Sequence, residues 1–411
     1  MTTSRTQCQA MDLSDPLAFA RDRFSLPEGV IYLDGNSLGP LPRATPARIE
    51  AVMREEWGQG LIRSWNTAGW IDYPGKLGDR IARLVGADPG EIAVTDSTSV
   101  NLFKLASAAV KMRSGRRVIL TEPGNFPTDL YMLQGLSAQL GGAIEVRTVP
   151  RDQIAEALTD DVAVLVLTHV HYKSGAVFDM AGLTAKAQAV GALVLWDLSH
   201  STGALEVDLN GAGADLAIGC GYKYLNGGPG APAFAFVARR HQSRLQQPLS
   251  GWMGHAAPFA FVDDYQPADS ISRVLCGTPS ILAMAALECG LATFEGLEMR
   301  QLREKSVALS SLFLDQVEAR LPGQFVLASP RDPAQRGSQI SLVHPFGYQI
   351  MAALIDGGVI GDFRAPDHLR FGFTPLYLRY VDVHDAVEVM ADILDTGRWR
   401  EPRFAVKQAV T

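Results

Sequence analysis

Between residues 91 and 237 the chain alternates short apolar runs with amphipathic stretches. The runs cover 92–94, 118–120, 144–146, 162–167, 193–196, 216–218 and 234–237. They are unbroken rather than alternating apolar with polar, which is the pattern of strands covered on both faces in a mostly parallel sheet. Helical periodicity fills the gaps at 100–111, 129–140, 153–158 and 181–190. The segment therefore predicts a doubly wound α/β domain. After Pro279 the period changes: 281–294 and 297–320 read as long helices, followed by strands at 339–343, 359–362 and 369–373 and helices at 348–356 and 383–394. The expected organisation is a segment 1–45 packing with the small domain, a large α/β domain 46–278 and a small α+β domain 279–411.

The 411 residues suit two or three domains at roughly 100 to 200 residues each. A hydrophobic fraction of 47% and a charged fraction of 20% describe an ordinary globular protein. The net charge of -7 leaves no basic field for nucleic acid or an anionic membrane, so the expected partner is a small molecule. No apolar stretch approaches the ~18 residues of a membrane span. The start up to Pro16 lacks a signal-type apolar core, and Cys8, Cys220, Cys276 and Cys289 show no disulfide or C-x-x-C spacing. The expectation is a cytoplasmic protein without a metal site, since His169 and His171 have no third ligand at zinc-like spacing.

Two nucleotide signals fail. Gly69 to Lys76 has one residue too many for a P-loop and is followed by Leu77 instead of a hydroxyl, and Gly219-Cys220-Gly221 lacks the third glycine of a dinucleotide turn. A different anion site is better supported: Thr95-Asp96-Ser97-Thr98-Ser99 joins a strand to a helix, where free N–H groups and hydroxyls suit a phosphate. The same residues also suit a plain N-cap. Strand 193–196 ends in Asp197-Leu198-Ser199-His200, at the edge where open α/β sheets bind ligands. Of the eight lysines, Lys104, Lys111, Lys186 and Lys305 read as solvated charges on helices, Lys407 as part of a tail, and Lys76 and Lys173 as loop residues. Lys223 alone follows a buried-type strand, in apolar surroundings that favour a nucleophilic amine. An aldehyde-binding lysine, a strand-end carboxylate and a phosphate cup together match what pyridoxal phosphate requires.

At this point the sequence resembles the kynureninase family. The resemblance is carried by Tyr-Leu-Asp-Gly-Asn-Ser-Leu-Gly at 32–39, Asn-Phe-Pro-Thr-Asp at 125–129, Trp-Asp-Leu-Ser-His at 196–200, Tyr-Lys-Tyr-Leu-Asn at 222–226 and Gly-Trp-Met-Gly-His at 251–255. It implies a homodimeric enzyme of the PLP-dependent transferase fold type I that hydrolyses L-kynurenine to anthranilate and L-alanine. It further implies that Lys223 carries the cofactor, Asp197 pairs with its ring nitrogen and Phe126 stacks on the ring. Thr98 and Ser99 take the phosphate positions with Tyr222 nearby. Pro127, Thr128, Asp129, Thr168 and His200 match cofactor contacts. Trp252 and Thr278 match positions that reach the cofactor from the second subunit. Ser37, Trp65 and Arg370 are assigned to the substrate, with Arg370 on the α-carboxylate. Thr278 and the Ser64-Trp65-Asn66 segment differ from the Asn and His positions of animal members, which implies the bacterial, kynurenine-preferring branch.

In this reading Lys223 and Asp197 are catalytic. Tyr222 is either a catalytic proton carrier or only a phosphate-binding phenol, and His200 either orients Asp197, binds phosphate or simply opens a helix. One alternative is a cysteine desulfurase or selenocysteine lyase, which needs a mobile thiol in the C-terminal part, yet no cysteine follows Cys289. Another is a non-catalytic PLP-binding regulatory protein, which would lack the lysine or carry an added DNA-binding module.

Overall fold

Apolar strands that cannot leave a face in water end up inside a sheet clad by helices on both sides. The computed structural model describes residues 3–408. Among the described residues the strands are β1 (Ile31–Tyr32), β2 (Ile92–Val94), β3 (Val118–Thr121), β4 (Glu145–Thr148), β5 (Val162–Thr168), β6 (Leu193–Asp197), β7 (Leu216–Gly219), β8 (Phe234–Val237), β9 (Val326–Leu327), β10 (Gln339–Val343), β11 (Val359–Ile360), β12 (Asp362–Arg364) and β13 (His368–Gly372). Seven form one sheet in the order β2-β8-β7-β6-β5-β3-β4, in which β8 runs antiparallel to both neighbours and every other pair is parallel. Successive side chains point to opposite faces: Val194 and Trp196 of β6 join one core, Leu193 and Leu195 the other.

A four-stranded antiparallel sheet, β12-β13-β10-β9, follows the helices Ile281–Ala292 and Met299–Arg320. The N-terminal segment is tied to this later part of the chain. β1 pairs with β11, and Asp12 accepts from the backbone N–H groups of Tyr380 and Val381 at 2.6 and 3.1 Å, where the helix Tyr380–Thr396 begins.

Several expectations change. The six residues 153–158 form no α-helix: a 3-10 turn, Arg151–Gln153, is followed by further turns, since a run this short cannot offset helix nucleation. The strand expected at 144–146 becomes the edge strand Glu145–Thr148, whose exposed side needs no apolar run. Gly361 splits the strand expected at 359–362, sending β11 and β12 to different sheets. Lys76 lies in the helix Tyr73–Val85, whose internal Pro74, Gly75 and Gly78 mask its periodicity.

Two lysines expected in solvent are buried instead. Lys104 meets Asp96, and Lys305 meets Asp15 with Nζ to Oδ2 at 2.6 Å and also donates to the Pro375 carbonyl. The side chains of Lys305 and Asp15 are 6% and 4% exposed, so removing the cation strands a buried carboxylate. Lys305→Met is expected to cost ~3–5 kcal/mol of unfolding free energy, measured by urea titration. A loss below ~1 kcal/mol would place the pair among ordinary surface ion pairs.

Candidate active site

Because β2, β3, β5, β6 and β7 all run the same way, the loops after them meet at one edge. They enclose a cleft of about 180 Å³ lined by Ser97, Thr98 and Ser99 after β2, Phe126, Thr128 and Asp129 after β3, Thr168 closing β5, Asp197 and His200 at β6, and Tyr222 and Lys223 after β7. Residues chosen along 126 positions of sequence thus share one hollow.

Asp197 ends β6 beside Thr168, its register partner on β5. Its Oδ1 accepts from the Ser199 backbone N–H at 2.8 Å and hydroxyl at 2.6 Å, and it forms no ion pair among the described residues. The fully buried Asp129 is its neighbour. Burial first, then the Asp197 carboxylate, pushes Asp129 well above the usual carboxylate range, so Asp129 keeps a proton and donates it in a hydrogen bond to Asp197. Thr168 Oγ1 bridges Asp129 Oδ2 at 3.2 Å and Asn125 Oδ1 at 2.5 Å.

Lys223 Nζ lies 3.3 Å from His200 Nε2, 5.8 Å from the Phe126 ring centre and 5.7 Å from that of Tyr222. Burial, then the charges of Lys223, Arg370 and Arg364, hold His200 well below the ordinary imidazole value. A neutral His200 therefore accepts from the ammonium. Burial raises the Tyr222 phenol, assisted by Cys220 and Asp197, so it stays protonated. The N-terminal segment closes this wall: Gly39 N–H donates to the Tyr222 carbonyl at 2.8 Å, and a Cβ on Gly39 would stand 2.5 Å from the Lys223 carbonyl.

Ser97 caps the helix Thr98–Met112 by accepting from Val100 N–H, which leaves the first-turn N–H groups of Thr98 and Ser99 without helical acceptors. Pro127 sets the first turn of the helix Pro127–Gln139 and is absent from the lining. Phe126 is held edge-on to Tyr172, with ring centres 5.2 Å apart.

The residues fit pyridoxal phosphate on their own chemistry. A buried carboxylate without a cation suits a protonated ring nitrogen, the amine beside it suits an aldehyde, and the unpaired N–H groups and hydroxyls suit a phosphate.

Arg370 lies outside this lining. It is buried, with Nε on Asp362 Oδ1 at 2.6 Å and Nη2 also on Asp362, Nη1 on the Tyr172 carbonyl, and Ser37 Oγ 3.1 Å from Nη2. Ser37 in turn donates to Asp362 at 2.6 Å. Arg364 adds a second guanidinium on Asp362 at 2.8 Å, and half-buried Asp34 alongside is raised to about 7 by burial and Asp362. Sequence reasoning missed Asp362, Arg364 and Asp34; the Asp-x-Arg alternation of β12, paired with Arg370 on β13, was the available signal.

Three residues stand apart. Trp65 packs edge-on against Trp70 at 6.1 Å and lines no part of the cleft. Trp252 is 37% exposed beside Phe259. Thr278 lines a hollow of about 420 Å³ that shares Ser97, Tyr222 and Ala231 with the cleft. His169 bonds Ser201 at 2.9 Å, His171 bonds the Gly124 carbonyl, and the described residues contain no group of three or more His, Cys, Asp or Glu able to hold a metal.

Residues 302–390 match the family model of the kynureninase C-terminal domain. The chain is 55% identical over 415 residues to the kynureninase of Burkholderia pseudomallei (strain 1106a), covering 99% of this chain and 100% of the relative. It is 51% identical to the kynureninase of Pseudomonas fluorescens, with both chains fully covered. Among solved structures it is similar to the apo cysteine desulfurase of Thermococcus onnurineus, with a TM-score of 0.78 and 18% identity over 92% of this chain and 98% of that one. It is also similar to a C-DES variant with glycine covalently linked to its PLP cofactor, with a TM-score of 0.77 and 17% identity over 90% and 99% of the two chains. At such identities the structural likeness shows the fold, PLP-dependent fold type I.

His169 is lowered to about 4 and His200 is held well below its ordinary value, both chiefly by burial. Nitrogen-15 spectra of labelled histidine at pH 6 are expected to show two neutral rings that do not charge before pH 5. Because the unfolded chain takes up those protons first, these histidines stabilise the fold above about pH 6.5, and that contribution is lost as pH falls toward their folded values. Charging of either ring near pH 6.5 would contradict the arrangement.

Proposed function

The chain belongs to the kynureninase family, and from that premise we propose how its residues divide the work. The reaction is hydrolysis of the Cβ–Cγ bond of L-kynurenine to anthranilate and L-alanine, with pyridoxal 5'-phosphate as cofactor. When bound, the cofactor supplies the electron sink that no side chain offers to the carbons near the substrate amino group. The observation that carries the assignment of roles is the buried Asp197 carboxylate beside the Lys223 amine.

Lys223 Nζ would hold the cofactor, and its amine is placed to carry the proton lost from the substrate Cα. His200 accepts from Nζ and steers it. Asp197 keeps the ring nitrogen protonated, while the proton on Asp129 prevents a second negative charge from gathering there. Thr98 and Ser99 take the phosphate, Phe126 covers the ring, and Thr128 and Thr168 close the floor. Tyr222 is the proton donor, since its raised phenol is protonated at neutral pH.

Arg370 grips the substrate α-carboxylate, but not through its Nε edge, which Asp362 occupies. The remaining Nη1 hydrogen and, once the Ser37 hydroxyl turns away, an Nη2 hydrogen provide the contact. That gives Ser37 a part in substrate binding. Trp65 has no support as a ring contact within one chain.

The assembly we propose is a homodimer. Trp252, Phe259, Phe261 and Val262 form an exposed apolar patch, with Phe261 78% exposed, and the open hollow at Thr278 adjoins the cleft. Four free thiols support a cytoplasmic setting, and no helix among the described residues is long and apolar enough to cross a membrane.

Lys223→Ala is expected to lose turnover entirely, together with the long-wavelength absorbance of bound cofactor. A borohydride-reducible cofactor adduct persisting in that variant would refute the assignment. Mixing inactive Lys223→Ala with inactive Thr278→Arg is expected to restore part of the activity through hybrid dimers. No rescue, with subunit exchange confirmed by mass spectrometry, would mean that each site is built from one chain.

A further inference from the structure

The cup formed by Ser97, Thr98 and Ser99 has to accept a dianion, yet the residue immediately before it is an aspartate. Asp96 is held there firmly. Its backbone is left-handed, with φ of 47°, a region that disfavours residues with a Cβ. Its carbonyl accepts from Ala233 N–H at 2.9 Å, and the carbonyl of Ala233 accepts from Thr95 N–H at the same distance. The Asp96 carboxylate is 28% exposed and lines the hollow that opens toward Thr278. Left alone, it would repel a phosphate arriving one or two residues away.

Lys104 faces it from two turns further along the helix Thr98–Met112. Its side chain is wholly buried, and Nζ lies 2.6 Å from Asp96 Oδ2 and 2.5 Å from the Val274 carbonyl. Thr95 Oγ1 donates to the same Asp96 oxygen at 2.9 Å. Burying an ammonium is costly unless it is paired and hydrogen-bonded. Here the ammonium ties the strand-to-helix turn to the segment that leads to Thr278.

We propose that Lys104 is a positioning residue for cofactor binding: it cancels the Asp96 charge and holds the turn, so that a phosphate monoester is accepted at Thr98 and Ser99. The pair acts as one neutral unit, replaceable by a neutral pair of similar shape. The proposal rests on the reading that the cup takes the cofactor phosphate.

The test compares pyridoxal phosphate with pyridoxal, which lacks the phosphate, on the full chain freed of cofactor, by absorbance titration. Lys104→Leu is expected to weaken pyridoxal phosphate binding about tenfold or more, equivalent to ~1.4 kcal/mol, and to leave pyridoxal nearly unchanged. Inorganic phosphate should protect the wild type against pyridoxal phosphate binding and protect Lys104→Leu less. The double variant D96N/K104L is expected to regain most of the lost affinity, because the stranded carboxylate is gone. If Lys104→Leu fails to fold, the double variant still decides the matter: it should bind pyridoxal phosphate nearly as wild type does. Equal weakening of pyridoxal and pyridoxal phosphate, or a double variant that remains impaired, would overturn the charge-cancelling role. The T98V/S99A variant separates the underlying reading: if it binds pyridoxal phosphate normally, the phosphate lies elsewhere and the cup assignment falls independently of Lys104.

Discussion

A negative charge buried at the end of an inner strand is the constraint around which the active edge is organised. Asp197 is buried and hydrogen-bonded to Ser199 but faces no side-chain cation at pairing distance. Such a charge is tolerable only if something positive occupies the hollow in front of it or a neighbour spares it further repulsion. Asp129 does the second by keeping its proton. The first is the natural place of a protonated pyridine ring. The neutral His200 and the high-pKa Tyr222 phenol, whose protonation states are set by the same burial, then stand beside Lys223.

The same logic recurs around Arg370. Arg370 and Arg364 share the Asp362 carboxylate, and Asp34 waits beside them with a raised affinity for a proton. An arginine held by a carboxylate behind it presents a fixed edge rather than a flexible arm, so under the proposed role a substrate carboxylate would meet a preorganised contact. Arg370 lies outside the cleft lining but near enough for its charge to act on His200; β1 pairs with β11, and Gly39 allows the N-terminal segment to lie directly on the Lys223 loop.

Much of this was legible in sequence because parallel strands buried on both faces are written as unbroken apolar runs and their carboxyl ends collect the chemistry. Thr98, Phe126, Asp129, Thr168, Asp197, Tyr222 and Lys223 all emerge from those ends into one cleft. What escaped was governed by pairing across the fold. Lys104 and Lys305 looked like solvated helix charges because their partners, Asp96 and Asp15, are joined to them only by packing. Asp362 became visible only when β12 was laid beside β13. Trp65 was assigned to the substrate by resemblance, whereas its indole packs on Trp70 and lines no part of this chain's cleft.

The account's central claim is that this cleft carries out carbon–carbon hydrolysis of L-kynurenine rather than the sulfur chemistry of proteins sharing its fold. The most direct measurement is product analysis after incubating the purified holoenzyme with L-kynurenine and, separately, with L-cysteine. The account predicts anthranilate and L-alanine in equal amounts from the first and no sulfide or persulfide from the second. Sulfur release from cysteine with no anthranilate from kynurenine would contradict it.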